Sequence, residues 1–379
     1  MKHKPVKIIA AMDSFKGSLS AEEACLAVKQ GILSVKPEIE IIIKPVADGG
    51  EGTARTMIAA RNGQWISKRV TGPLPDMKVD AGFAWFEKDR DALVEMAAAS
   101  GLPLLEPDKR NPLNATTFGT GELIKTASER NPKRLLLAVG GSATVDGGVG
   151  AAMALGWRFM DKKGNNIGFG GGRLSRINQI VPPENMSLSA VEVLCDVDNP
   201  LCGPSGAAMV FGPQKGATPE MVEQLEAGLS NLAEVVRKQL GKDINVSKAG
   251  AAGGLAAGAM AFMNARLVSG IETIIACTNL GKELSTADWV ITGEGCFDSQ
   301  SLHGKVVSGI VKAARTTNIR IAVLAGSVTL SQKKCEDCGI TDAIAAKKEN
   351  MSLDYAIAHS KELLAGAAAE FAKKHLSGS

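Results

Sequence analysis

The sequence predicts an α/β protein: a doubly wound, mostly parallel sheet domain with a second, mixed α/β domain inserted into it. Three observations predict it. Two strand–loop–helix units fall within the first sixty residues, the last third returns to the same rhythm, and the intervening stretch opens on hairpin-like, antiparallel material. At 379 residues the chain is long enough for two domains, each burying its own core.

VKIIAAM (6–12) is a short apolar run suited to a strand covered on both faces. Asp13–Gly17 forms a turn. Ser20 and Glu23 then make a capping box for a helix whose apolar face is Ala24, Val28, Ile32 and Val35. IEIIIKPVAD (39–48) repeats the strand pattern, GGEGT (49–53) is a loop, and TARTMIAARNG reads as a helix ended by Gly63. Residues 64–96 alternate around a charged turn, EKDRD (87–91), as antiparallel strands do. RLLLAV (134–139) and VEVLCDV (191–197) are buried strands. Thr218, Pro219 and Glu220 start a helix that runs to about Gly241. DWVITGEG (288–295) is strand then loop, a helix follows from near Gly304, IRIAVLAG (319–326) is a strand, and one long helix covers 352–376. Residues 1–70 and 281–379 are thus expected to form a discontinuous Rossmann-like domain, with 71–280 as the insertion.

Composition excludes several function classes. Charge is well mixed, 43 basic against 40 acidic residues for a net +3, so nucleic acid and membrane surfaces are not expected partners. The N-terminal apolar run breaks at Asp13 without a cleavage pattern and reads as a strand, not a signal peptide. The most apolar later stretch, 249–263, is too short and glycine-rich to span a bilayer. Seven scattered cysteines suggest a reducing cytoplasm. Cys335 and Cys338 form a lone CxxC without the second pair a zinc site needs, and only four histidines exist (His3, His303, His359, His375). The 42 glycines exceed the roughly 27 that average usage would give, and the excess lies in short loops.

Those loops carry the functional signal. In an open parallel sheet, ligands gather at the carboxyl ends of the strands. Here the strand ends read DSFKGS (13–18), ADGGEGT (47–53), GGSATVDGG (140–148), CDVDNP (195–200), TGEGCFDSQSLHGK (292–305) and AGS (325–327), with FGPQKGA (211–217) nearby. Nearly all hold a carboxylate, hydroxyl or lysine among the glycines. Glycine lets backbone N–H groups approach a ligand, and a following helix start favours an anion. Gly49 and Gly50, flanked by Asp48 and Glu51, form one such cradle. Gly140 and Gly141 with Ser142, Thr144 and Asp146 form another, where a carboxylate would need a metal or a hydroxyl as partner. Each loop alone is also compatible with a helix cap. A helix end contributes roughly 0.3–1 kcal/mol to anion binding, whereas catalysis needs about 8 kcal/mol or more. Phosphoryl transfer would add a divalent cation, positive side chains and a base. Glu294 and Asp298 are candidates for the cation, Lys16, Lys215 and Lys305 for phosphate or substrate carboxylate, and Asp196 for the base. Neither GxxxxGK[ST] nor a GxGxxG after the first strand occurs, which speaks against P-loop and dinucleotide-binding readings.

Taken together, these motifs resemble the type-1 glycerate kinases of bacteria over essentially the whole chain. The resemblance rests on MDSFKGSLSA (12–21), PVADGGEGT (45–53), EMAAASGL (95–102), ATTFGTGELI (115–124), GGSATVDGG (140–148), CDVDNPLCG (195–203), FGPQKGA (211–217), GAAGGL (250–255) and GEGCFDSQSLHGK (293–305). It implies ATP-dependent phosphorylation of D-glycerate with Mg²⁺, in an α/β protein whose two domains enclose a cleft, and it favours the 2-hydroxyl over the 3-hydroxyl as acceptor. By the same motifs, Lys16, Ser14 and neighbouring N–H groups would hold the substrate carboxylate, and Asp13 and Asp196 its hydroxyls. Asp196 would orient or deprotonate the attacking one. Gly253, Gly254, Gln300 and Ser301 join the expected binding set, while the loop that cradles ATP stays open, as does homo-oligomerisation. Two positions depart from the family's usual spelling: Met12 stands where proline is common, and Cys296 where a basic residue often follows GEG. Cys296 is assigned no role. A hydroxy-acid dehydrogenase and a non-catalytic binder of anionic metabolites are the alternatives.

Overall fold

In the computed structural model, which describes residues 6–50, 52–302, 305–315 and 317–376, the chain divides into two compact units. One comprises Met1–Asp48 with Ile271–Ser379, the other Gly49–Gly270.

The first unit is built on five parallel strands. Numbered by their order in the chain, Lys7–Met12, Glu40–Ile43, Trp289–Gly293, Arg320–Ala325 and Asp342–Ala345 lie in the spatial order 2-1-3-4-5. Alternation along the first strand explains why helices cover both faces. Ile8, Ala10 and Met12 face Ala24, Val28 and Phe371 on one side. Ile9 and Ala11 face Leu284, Val307 and Ile310 on the other. A strand with both neighbouring layers apolar cannot tolerate a polar residue on either face, which is why the run is continuous. Helix Ala21–Leu33 starts on the expected capping box: Ser20 Oγ accepts from Glu23 N at 3.3 Å, and Ser20 N donates to Glu23 Oε2 at 2.8 Å. The same helix meets helix Ser360–His375 so closely at Gly31 that a Cβ there would lie 2.0 Å from Ala365 O.

The second unit carries a six-stranded mixed sheet. Its order is Arg266–Val268, Ala190–Leu194, Arg134–Ala138, Asp91–Glu95, Lys78–Phe86, Gln64–Thr71. The first three pairings are parallel and the last two antiparallel. The antiparallel edge is the alternating stretch the sequence suggested. Across the whole sheet Phe83, Val94, Leu135, Leu137 and Val193 pack in one core with Leu123 and Leu255. Helix Pro219–Leu240 begins on the Thr218 cap and stops at left-handed Gly241. Among the described residues no helix is long and apolar enough to cross a membrane.

Two element boundaries differ from expectation. Helix Thr53–Arg61 ends on Asn62 in the left-handed conformation (φ 52°), one residue before Gly63, because Asn tolerates that region almost as glycine does. The single terminal helix is two, Leu353–Ala358 and Ser360–His375, broken at His359. The second piece buries Leu364, Ala368 and Phe371, whereas the first buries nothing, so no packing holds them to one axis.

Candidate active site

The strand order 2-1-3-4-5 has one switch point, between Lys7–Met12 and Trp289–Gly293, where successive crossovers leave in opposite directions and open a crevice beyond the strand ends. Met12 pairs with Gly293 in register, so the residues that follow, Asp13 and Glu294, emerge side by side. Asp13 N donates to Gly293 O at 2.9 Å, which locks the two exits together. On the other flank, Lys44 N and Val46 N donate to Ala10 O and Met12 O. The second strand's exit therefore runs alongside the first and delivers Asp48 beside Asp13. Gly326 and Lys347 follow the fourth and fifth strands. All five strand ends thus supply lining residues to one cavity of about 430 Å³.

Three carboxylates, Asp13, Asp48 and Glu294, share this cavity with Lys16, Lys305 and Asp298. Such crowding has an electrostatic consequence. Asp13 is raised to about 8, first by burial, then by the charge of Asp48 and, more weakly, Glu294, against the opposing Ser14 N–H and Lys16. Ser14 N donates to Asp13 Oδ1 at 2.7 Å. Burial also raises Glu294, while Lys305, its Nζ 3.5 Å from Glu294 Oε2, pulls the other way. Glu294 Oε1 is buried and accepts no hydrogen bond among the described residues. A carboxylate oxygen withdrawn from water without a donor is costly unless a cation or ligand meets it. Asp298 Oδ1 accepts from Ser301 N at 3.2 Å, and Ser301 Oγ donates to Cys296 O at 3.2 Å, so Ser301 secures the turn that carries Asp298.

Among the described residues no group of three or more His, Cys, Asp or Glu is arranged to hold a metal by itself. Mg²⁺ asks for less: one or two carboxylates, with phosphate oxygens and water completing its shell. Glu294 with its unsatisfied Oε1, backed by neighbouring carboxylates, fits that requirement.

The glycerate kinase family model matches this chain over residues 8–376. The chain belongs to the glycerate kinase family. A Bacillus subtilis glycerate kinase is 44% identical over 371 residues, covering 97% of each chain. Escherichia coli glycerate 2-kinase is 46% identical over 329 residues, 86% of each. The crystal structure of a glycerate kinase 2 candidate from Salmonella typhimurium LT2 superposes with a TM-score of 0.84 at 39% identity, covering 99% of each chain.

Within this glycerate kinase family member, the expected site residues fall into two groups. Asp13, Ser14, Lys16, Asp48, Glu294, Asp298 and Lys305 line the switch-point cavity, with Ser301 directly behind it. The remainder, apart from Gln300, belong to the second unit. Asp196 Oδ1 accepts from Ser269 Oγ at 2.8 Å and Gly270 N at 3.1 Å. Gly49 O accepts from Gly140 N at 3.3 Å, and a Cβ on Gly140 would lie 2.5 Å from Gly50 Cα. Glu51 and the side chain of Gln300 lie outside the described residues.

The loop at 140–148 is internally satisfied to a degree its sequence does not reveal. Asp146 is fully buried and accepts from Thr117 N, Thr117 Oγ1, Gly148 N and Gly150 N at 2.8–3.3 Å. Lys215, also buried, donates to Ser142 Oγ and Thr144 O, both at 2.7 Å. Burial lowers its pKa to about 7, opposed by the charge of Asp146. Gly253 (φ 64°) and Gly254 (φ 86°) press on this loop, Gly253 so closely that a Cβ would lie 2.0 Å from Thr144 O.

The sequence reading missed the cavity's other wall. Phe15, Leu353, Ala356, Ile357 and Leu363 line it, and the exposed Cys296 also borders the cavity. Nothing in a terminal amphipathic helix signals that its first turns border a site.

Proposed function

We propose that this chain transfers the γ-phosphoryl group of ATP to the 2-hydroxyl of D-glycerate, giving 2-phosphoglycerate and ADP. The observation that carries the proposal is the convergence of Asp13, Asp48, Glu294, Lys16 and Lys305 on one cavity at the sheet's switch point. The carboxylates match a hydroxyl to be activated and a cation to be held, and the lysines match the anionic groups of both substrates. The relatives named glycerate kinase and glycerate 2-kinase supply the acceptor.

In this reading Lys16 and Ser14 hold the glycerate carboxylate. Asp13, its carboxyl raised to about 8, takes the proton of the attacking hydroxyl. The new bond forms between that oxygen and the γ-phosphorus, and the bond to the bridging oxygen breaks as ADP departs with its electron pair. Lys305 offsets charge on the transferred group. Glu294 and Asp298 would hold Mg²⁺, which when bound would neutralise phosphate charge. Asp196, expected from the sequence to orient the hydroxyl, belongs to the second unit; if it serves the acceptor, an Asp196→Ala enzyme should lose turnover while keeping its melting temperature. Turnover within about threefold of wild type, less than roughly 0.7 kcal/mol of barrier, would remove Asp196 from the mechanism. The free thiols of all seven cysteines accord with a reducing, cytoplasmic setting.

Chelating divalent cations should stop turnover. Glu294→Gln should raise the Mg²⁺ concentration for half-maximal rate by about tenfold or more, since loss of even an outer-shell partner typically costs 10–100-fold in metal affinity. An unchanged Mg²⁺ titration would remove Glu294 as a ligand. The activity itself is tested by ³¹P and ¹³C NMR on ATP, Mg²⁺ and ¹³C-labelled D-glycerate. A phosphate ester on C2 is expected; an ester on C3, or ADP without any ester, contradicts the proposal.

A further inference from the structure

Helix Leu353–Ala358 is built unlike its neighbours. Most helices of a folded domain bury an apolar face, yet none of its side chains is buried, and Leu353 is 66% and Ile357 41% exposed. It is held at its start by Ser352 Oγ, which accepts from Tyr355 N at 3.2 Å. Tyr355 itself stacks on His359 with ring centroids 4.0 Å apart. Leu353, Ala356 and Ile357 recur at i, i+3 and i+4, one face of the helix, and all three line the switch-point cavity, as does Ser360 at the start of the next helix. Leu353 and Ile357, left uncovered by the protein, thus line the site, and Phe15 and Leu363 line it with them.

The cavity is therefore lined by two chemically distinct sets of groups, one of carboxylates and lysines and one of aliphatic and aromatic carbon. D-glycerate has oxygen on every carbon and no apolar face to offer the second set. A triphosphate has none either. A nucleotide's base does: it is a flat, weakly hydrated ring joined to the very anions that the lysines attract, and a cavity of about 430 Å³ far exceeds what a three-carbon acid fills. We infer that the wall formed by Phe15, Leu353, Ala356 and Ile357 is the subsite for the base of the phosphate donor. The inference rests on the kinase reading above and assigns the donor's orientation within it: base against the short helix, phosphates toward Lys305 and the carboxylates.

The test compares ligands that differ only in the base. MgADP and magnesium tripolyphosphate binding are measured by calorimetry for wild type, Ile357→Ala and the Leu353→Ala/Ile357→Ala double variant. Because both side chains are exposed, melting temperatures should stay unchanged. The double variant should bind MgADP about tenfold more weakly, the scale set by uncovering a few buried methylenes, and its KM for ATP should rise in step. Its affinity for tripolyphosphate and its KM for D-glycerate should hold within about twofold, because neither ligand has apolar surface to bury. Unchanged MgADP affinity, or a change in KM for glycerate instead of ATP, overturns the subsite. Loss of tripolyphosphate binding in parallel with MgADP overturns it too, since the wall would then serve the phosphates. If wild type binds MgADP but makes no phosphoglycerate, the acceptor assignment fails, and the variant's effect on MgADP still decides the subsite.

Discussion

Asp13→Asn is expected to lower kcat by about 10²–10⁴, the usual range for a general base, while making the protein more stable. Both effects have the same origin. Asp13 sits between Asp48 and Glu294, and its carboxyl is raised from 3.8 to about 8 by burial and by those neighbours. Below pH 3.8 the group is neutral whether the chain is folded or not, and it costs the native state nothing. Between 3.8 and 8 the unfolded chain releases the proton while the folded chain keeps it, so native stability falls as pH rises, and the full penalty applies above 8. Asparagine removes that penalty. Measured without divalent cation, the variant's gain in melting temperature should therefore be larger at pH 8 than at pH 5. In the wild type, kcat/KM should climb as Asp13 ionises, with a midpoint at or below 8, because a bound cation favours the charged form. Turnover within threefold of wild type, or a stability gain that shrinks with rising pH, contradicts the assignment.

Asp146→Ala is expected to act on stability first. The carboxylate is fully buried and gathers donors from Thr117, Gly148 and Gly150, with Lys215 close enough to feel its charge. Truncation leaves three backbone N–H groups without an acceptor and a buried lysine without a counter-charge. Breaking a buried charged arrangement typically costs roughly 3–5 kcal/mol. For a unit of this size that lowers the melting temperature by roughly 6–20 °C, readable by calorimetry on the intact chain. The converse result is informative. A variant that melts like the wild type but turns over no substrate would make Asp146 a ligand of the reaction and not a strut of its loop.

The two residues mark the boundary of what the sequence discloses. That chemistry collects after the strands was legible, because a buried parallel strand must be apolar throughout and its first polar residue sits at the end of the sheet. Asp13, Asp48 and Glu294 were all found that way. Their adjacency was not legible, since it depends on Trp289–Gly293 inserting beside Lys7–Met12, a pairing across nearly the whole chain that no local pattern encodes. The same blindness affects the loop at 140–148. Its glycines, hydroxyls and carboxylate look like a ligand cradle, but Thr117, Lys215 and Gly253 arrive from distant segments to satisfy them. The capping box of Ser20 and Glu23 was readable because both partners lie within one turn. The break at His359 was not, because it reflects which helix finds a surface to pack on.

The central claim is that nucleotide and acceptor occupy the switch-point cavity of the first unit. Cys296 offers a direct probe, since it is exposed and borders that cavity while contributing to neither the carboxylate cluster nor the base subsite. Its rate of alkylation by iodoacetamide, followed site by site with mass spectrometry, should fall in proportion to occupancy as MgADP and D-glycerate are added. An unaltered rate at Cys296 with both ligands saturating would place the reaction elsewhere in the molecule.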